Sequence, residues 1–146
     1  MITGKTKLLG VLGAPIGHSL SPIIQNEALR AAGLDYVYTA LPVRADALAS
    51  AVRGLRDAGI AGFNVTIPFK TEIIPLMDDL SEDARRIHAV NTVVVEENGR
   101  LVGHNTDVTG FLAGFAELRI ALAGRRVVLI GAGGAARAVL WGLLRS

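Results

Sequence analysis

Asn64-Val65-Thr66-Ile67-Pro68-Phe69-Lys70 is the stretch whose reading decides the fold. Side chains alternate across a strand, so Phe63, Val65 and Ile67 point one way, while Asn64 and Thr66 point the other. The stretch therefore reads as the end of a strand, Ala61 to Ile67, with two small polar groups on its second face. Pro68 suits the first position of a following helix, where no N–H is needed. Lys70 then falls in the first helical turn, where a cation opposes the helix dipole. Helix stability does not ask for it. It is either an ordinary exposed lysine or a functional one.

The flanking chain repeats the strand-to-helix rhythm. Leu8 to Leu12 reads as a buried strand, followed by the loop Gly13-Ala14-Pro15-Ile16-Gly17-His18-Ser19-Leu20-Ser21-Pro22. Ser21-Pro22 is a helix start, with serine as N-cap and proline at the first helical position. That helix closes at Gly33. Tyr36 to Val43 is a second strand and Ala45 to Ala58 a second helix. Two short helices are expected between Phe69 and Ile87, broken near Pro75 and restarted near Ser81. Val90 to Glu97 reads as a strand, Asn98-Gly99 as a type I′ hairpin turn, and Arg100 to Gly103 as its antiparallel return. Asn105-Thr106-Asp107 opens a helix running to about Leu118, with Phe111, Phe115 and Leu118 on its apolar face. Strands alternating with helices imply an α/β fold with a mostly parallel sheet flanked by helices.

The last segment is a new βα unit. Val127-Val128-Leu129-Ile130 reads as an apolar strand, Gly131-Ala132-Gly133-Gly134-Ala135-Ala136 as a glycine loop, and the chain from about Ala135 to Arg145 as a helix. The loop has the G-x-G-x-x-A form. Gly131 permits a tight turn, Gly133 lets a pyrophosphate approach the backbone, and Ala136 allows close packing. The segment reads as the first βα unit of a Rossmann domain, and the residue that would read the ribose is expected about 20 residues beyond the loop, past Ser146. An ordinary glycine-rich turn is the competing reading.

Composition narrows the function. The chain has 146 residues, 51% of them hydrophobic, and no cysteine. Disulfides, thiolate zinc sites and a cysteine nucleophile are excluded. Fifteen basic and 13 acidic residues leave a formal charge of +2. The basic residues are scattered, which argues against a nucleic-acid surface. No apolar run approaches a membrane span. His18, His88 and His104 are far apart and suggest no metal site.

Several polar residues are candidates for chemistry. Ser19 and Ser21 put two hydroxyls beside a helix start, which suits a carboxylate; Ser21 could equally just cap the helix. Asp107 could be an N-cap, or could hold Lys70 and tune its proton affinity. Asn91 could bind a ligand hydroxyl or satisfy a loop.

Taken together, and in this order, Gly13 to Pro22, Asn64 to Lys70, Ala89-Val90-Asn91-Thr92, Gly103-His104-Asn105-Thr106-Asp107 and the Gly131–Ala135 loop resemble shikimate dehydrogenase. The resemblance covers essentially the whole chain. It implies reduction of 3-dehydroshikimate to shikimate with NADP(H), in the pathway to chorismate and the aromatic amino acids. It implies that Ser19 and Ser21 hold the substrate carboxylate and that Asn64, Thr66, Asn91 and Asp107 bind its ring hydroxyls. Lys70 and Asp107 become the catalytic pair, and Gly131, Ala132, Gly133, Gly134 and Ala135 the cofactor loop. Having serine at both paired positions favours shikimate over quinate. Gln25-Asn26 stands where the family usually has His-Asn.

The family chain continues well beyond Ser146, so the resemblance implies an N-terminal part of such an enzyme. Residues 1–106 would form the substrate-binding and catalytic α/β domain, 107–123 a connecting helix, and 124–146 the start of an incomplete NADP-binding domain. Alone, the chain is expected to be inactive and to expose Val139, Leu140 and Leu143 on a poorly anchored last helix. Shikimate or 3-dehydroshikimate is the expected partner, in the cytoplasm, without metal, nucleic acid or membrane. A homodimer is one option for the full-length enzyme. The alternatives are a non-catalytic module that binds a shikimate-like hydroxy carboxylate, and a quinate/shikimate dehydrogenase relative.

Overall fold

A computed structural model describes residues 2–146. In chain order the elements are β1 (Lys7–Gly13), α1 (Ser21–Ala31), β2 (Tyr36–Pro42), α2 (Leu48–Asp57), β3 (Gly62–Val65), β4 (Asp79–Leu80), α3 (Glu82–Ile87), β5 (Thr92–Val95), β6 (Leu101–His104), α4 (Asp107–Glu117) and α5 (Gly134–Leu144). Short 3₁₀ turns at Ala45–Ala47 and Ile74–Leu76 complete the set. The six strands form one sheet in the order β2-β1-β3-β5-β6-β4. β1 runs parallel to β2 and β3, and β4 to β6, whereas β5 is antiparallel to both β3 and β6. The α/β class stands, with three parallel pairings and two antiparallel ones.

Strand alternation sorts the core. Leu12, Phe63, Val65 and Val93 face one side, where Leu48 and Val52 of α2 cover them together with Phe69 and Ile73. Val11 and Tyr38 face the other side and meet Leu29 of α1 and Ile16 of the following loop. On that second side, register places Asn64 beside Val11 and opposite Thr92. The apolar face thus passes into a polar one at the middle of the sheet, and the candidate site lies there.

Several local expectations are corrected. No α-helix starts at Pro68. Residues 68–73 form consecutive turns, with Phe69 N–H bonding Thr66 O and Ile73 N–H bonding Phe69 O. Pro75 has no N–H for a ladder starting here, and the turns bury Phe69 and Ile73 completely. Lys70 is therefore not in a helix, and the dipole argument does not apply to it. Ser21 is the first residue of α1 and not its N-cap; Leu20 occupies that position, with no side-chain cap. Instead, Ser19 Oγ accepts the Ser21 N–H at 3.2 Å.

The β5–β6 hairpin is not type I′. Gly99 N–H bonds Glu96 O, and Gly99 alone in the turn has positive φ, at 82°. That is a type I turn closed by a left-handed glycine.

Val127–Ile130 forms no strand. A strand needs a neighbour for its N–H and C=O groups, and none of the six strands pairs with it. Val128 and Ile130 are 87% and 93% exposed. Helix α5 does form, and it is better anchored than expected. Ala138 is fully buried against Ile87, Ala89 and Val108, and Trp141 and Leu112 pack onto the same cluster. The Trp141 indole N–H and an Arg145 N–H both donate to Asp83 Oδ1 at 2.8 Å. Of the three residues expected on the open face, Leu140 is exposed, while Val139 and Leu143 are partly covered.

Candidate active site

Lys70 is held from three directions. Phe69 beside it is fully buried. Its own carbonyl accepts the Val90 N–H at 2.7 Å. Its ammonium donates to Asp107 Oδ2 at 2.5 Å, and the two side chains are 20% and 30% exposed. Asp107 is the first residue of α4, following Thr106 at the N-cap. The positive end of the helix favours a carboxylate there. Asn105, almost fully buried, accepts the Asp107 N–H at 3.0 Å and donates to Ala89 O at 3.0 Å. Asp107 therefore does not act as a cap; its carboxylate is aimed at Lys70 and Asn91.

Asn91 is the hub between strands and helix. Its Nδ2 donates to Asp107 Oδ1 at 2.7 Å and to Thr106 Oγ1 at 3.0 Å. Its Oδ1 accepts from Thr106 N–H and from the Thr92 hydroxyl, both at 2.9 Å. Asn64 Nδ2 donates to Thr92 Oγ1 at 3.0 Å, and Asn64 Oδ1 accepts the Tyr38 hydroxyl at 2.7 Å. Burial pushes the Tyr38 phenol up to about 12, so it stays a donor. Tyr38, Thr92, Thr106 and Asn105 were not among the sequence candidates. A tyrosine on a buried strand face was the available signal, because a buried hydroxyl needs a partner.

Two adjoining clefts open on this network. One, of about 490 Å³, is lined by His18, Ser19, Ser21 and Thr66 among others. Gly13 lets its loop approach β3: a Cβ there would stand 2.6 Å from Thr66 Cγ2. The second, of about 350 Å³, is lined by Thr66, Lys70, Gly133, Gly134, Ala135 and Arg137. Thr66 and Ile67 form the wall between them. Asn64, Asn91 and Asp107 join Lys70 through hydrogen bonds and line neither cleft. Gly131 and Ala132 also lie outside both.

Of the expected strand, glycine loop and helix, the glycine turn and the helix are present and the strand is not. Gly131 has φ of 118°, a conformation that favours glycine. No atom lies within 4 Å of where a Gly133 Cβ would be. The α5 N-terminus has no side-chain cap, leaving its N–H groups free for an anion. Gly134 packs against the segments that carry Ala89 and Lys70, since a Cβ there would lie 3.1 Å from Ala89 Cβ and 3.5 Å from Lys70 Cβ. These backbone features fit a dinucleotide pyrophosphate. Among the described residues, no group of His, Asp and Glu is placed to hold a metal ion.

The fold and the paired clefts define an α/β ligand-binding lobe whose polar network abuts a glycine-loop helix. The chain belongs to the family described as shikimate dehydrogenase substrate binding domain, which matches residues 11–93, more than half its length. It is 56% identical over 145 residues to the shikimate dehydrogenase (NADP(+)) of Geobacter metallireducens, covering 99% of this chain and 50% of that protein. Shikimate dehydrogenase from Aquifex aeolicus superposes with a TM-score of 0.96 at 45% identity, over 99% of this chain and 54% of that one. The Thermus thermophilus enzyme, solved in complex with NADP(H) and shikimate, gives 0.88 at 42% identity, over 95% and 52%. The chain spans about half the length of the curated relatives it matches.

Proposed function

We propose that this chain is the substrate-binding part, with the start of the cofactor-binding part, of an NADP-dependent shikimate dehydrogenase that reduces 3-dehydroshikimate to shikimate. The observation that carries this reading is the Lys70–Asp107 contact at 2.5 Å, set beside two adjoining clefts. One cleft offers two serine hydroxyls and the other a glycine-loop helix terminus. The named relatives are the second support.

Ser19 and Ser21 take the substrate carboxylate; none of the described hydrogen bonds uses the Ser21 hydroxyl, and the Ser19 hydroxyl keeps its own proton to donate. Asn64, Thr66, Asn91 and Asp107 meet the ring hydroxyls. NADPH, when bound, supplies the hydride, and Gly131 to Ala135 hold its phosphates. As the ketone carbon gains the hydride, negative charge grows on its oxygen. Lys70 Nζ stabilises that charge and gives it a proton, leaving a neutral amine that water reprotonates. Asp107 keeps the ammonium oriented, and Asn91 holds Asp107.

Calorimetric titration of shikimate into the purified chain tests the reading, with Ser19→Ala alongside. Saturable binding that Ser19→Ala weakens at least tenfold is expected. Binding unaffected by Ser19→Ala, or no binding to the folded chain, would count against this assignment of the site.

A further inference from the structure

The hydrogen bonds from Tyr38 to Asp107 run in one direction. At one end the Tyr38 phenol donates to Asn64 Oδ1 at 2.7 Å. The Asn64 amide nitrogen turns the other way, to Thr92 Oγ1 at 3.0 Å and to Asn91 O at 3.3 Å. The Thr92 hydroxyl, its oxygen already accepting, passes its proton to Asn91 Oδ1 at 2.9 Å. Asn91 then turns its amide nitrogen to Asp107 Oδ1 at 2.7 Å. A carboxylate can only accept, so the order cannot reverse at that end. At the other end the Asn91 carbonyl, which also only accepts, takes the Asn64 amide nitrogen and leaves the amide oxygen to the phenol.

We propose that Tyr38 is a positioning residue of the substrate site: its phenol pins the oxygen end of the Asn64 amide, whose nitrogen end the Asn91 carbonyl holds, so that Asn64 meets a donating ligand hydroxyl with a fixed side chain. Without the phenol, only the nitrogen end of the amide stays tied, to Asn91 O and Thr92 Oγ1, and the side chain can swing about those contacts. The inference rests on the shikimate site proposed above. Tyr38 is suited to the task because it cannot move or ionise easily. It is 5% exposed. Its backbone N–H and carbonyl lie on the edge strand and are both taken by the Asn26 side chain of α1, at 2.9 and 2.8 Å. Asn26 also donates to Pro22 O at 2.7 Å, so α1 and β2 are locked together through one amide. Burial keeps the phenol protonated through the neutral range. None of these backbone anchors involves the phenol, so Tyr38→Phe leaves them in place.

The experiment is a double-mutant cycle on shikimate affinity in the purified chain, using Tyr38→Phe, Asn64→Ala and the double variant. Tyr38→Phe is expected to weaken shikimate about tenfold. That loss should vanish in the Asn64→Ala background, because the phenol acts only through Asn64. Equal affinity of Tyr38→Phe and the parent chain would overturn the proposal. So would a tenfold loss that persists without Asn64. A second measurement needs no ligand: NMR of the Asn64 side-chain amide should show its protons exchanging about tenfold faster in Tyr38→Phe, and unchanged exchange would overturn the proposal. If the parent chain binds no shikimate while the NMR result holds, the substrate reading fails and the positioning of Asn64 stands.

Discussion

Lys70 Nζ and Asp107 Oδ2 lie 2.5 Å apart although 37 residues separate them in the chain. The pair is neither fully solvated nor fully buried, with side-chain exposures of 20% and 30%. Its charge is available to a ligand entering the cleft, yet its geometry is set by Val90, Asn91 and Asn105.

On the proposed mechanism, Lys70→Ala removes the proton donor while leaving the serine loop intact. In the dehydrogenase assay of the holoenzyme, kcat is expected to fall by about 10²–10⁴-fold. Shikimate affinity should change much less. Steady-state kinetics and calorimetry check this together. A large loss of affinity with kcat preserved would make Lys70 a binding group instead.

Tyr38 gives an alkaline stability signature. Its folded-state value stands at about 12 against an ordinary 10.0. The folded protein therefore holds the phenolic proton more tightly than the unfolded chain. This stabilising contribution is complete below pH 10 and is lost as pH rises from 10 through about 12. Urea unfolding of the parent chain and Tyr38→Phe should show a stability gap that narrows across that window. A gap independent of pH would contradict the assignment.

Asp83 joins α3 to α5 by accepting from both Trp141 and Arg145. Asp83→Ala leaves a part-buried indole N–H and a guanidinium without their acceptor. The cost is expected at about 1–3 kcal/mol of unfolding free energy. Trp141 is the chain's single tryptophan, so its emission reports this contact alone. A red shift should accompany the loss of stability. Unchanged emission would mean that α5 is held by Ala138 and its neighbours without help from the clamp.

Gly62 sits on β3 close against β5. A Cβ there would lie 2.8 Å from the Val93 carbonyl oxygen, a backbone atom that cannot turn aside. Gly62→Ala is expected to cost about 1–3 kcal/mol and to weaken shikimate binding, because the same strand carries Asn64. Thermal unfolding and calorimetry measure the two effects. Wild-type stability in Gly62→Ala would show that the strands can separate without penalty.

Much of this molecule was legible before the structure. The strand-helix alternation, the helix after Ser21-Pro22, the strand carrying Asn64 and the hairpin around Gly99 all follow from local patterning. What local patterning could not supply was whatever depends on a distant partner. The Lys70–Asp107 contact is of this kind, because no spacing rule brings residues 70 and 107 together. So is the Tyr38–Asn64 bond, which requires knowing that β1 lies between β2 and β3. Val127–Ile130 failed for the same reason in reverse: its apolar composition suits a strand, but no strand lies alongside it to pair with. The helix expected after Pro68 failed because burying Phe69 and Ile73 outweighed the local preference, with Pro75 close behind.

A crystal structure of the chain with bound shikimate tests the central claim most directly. The account predicts the carboxylate between the Ser19 and Ser21 hydroxyls, with a ring oxygen within hydrogen-bond distance of Lys70 Nζ and the Asn64 oxygen facing a second hydroxyl. Shikimate bound with its carboxylate away from both serines, or with no ring oxygen near Lys70, would contradict it.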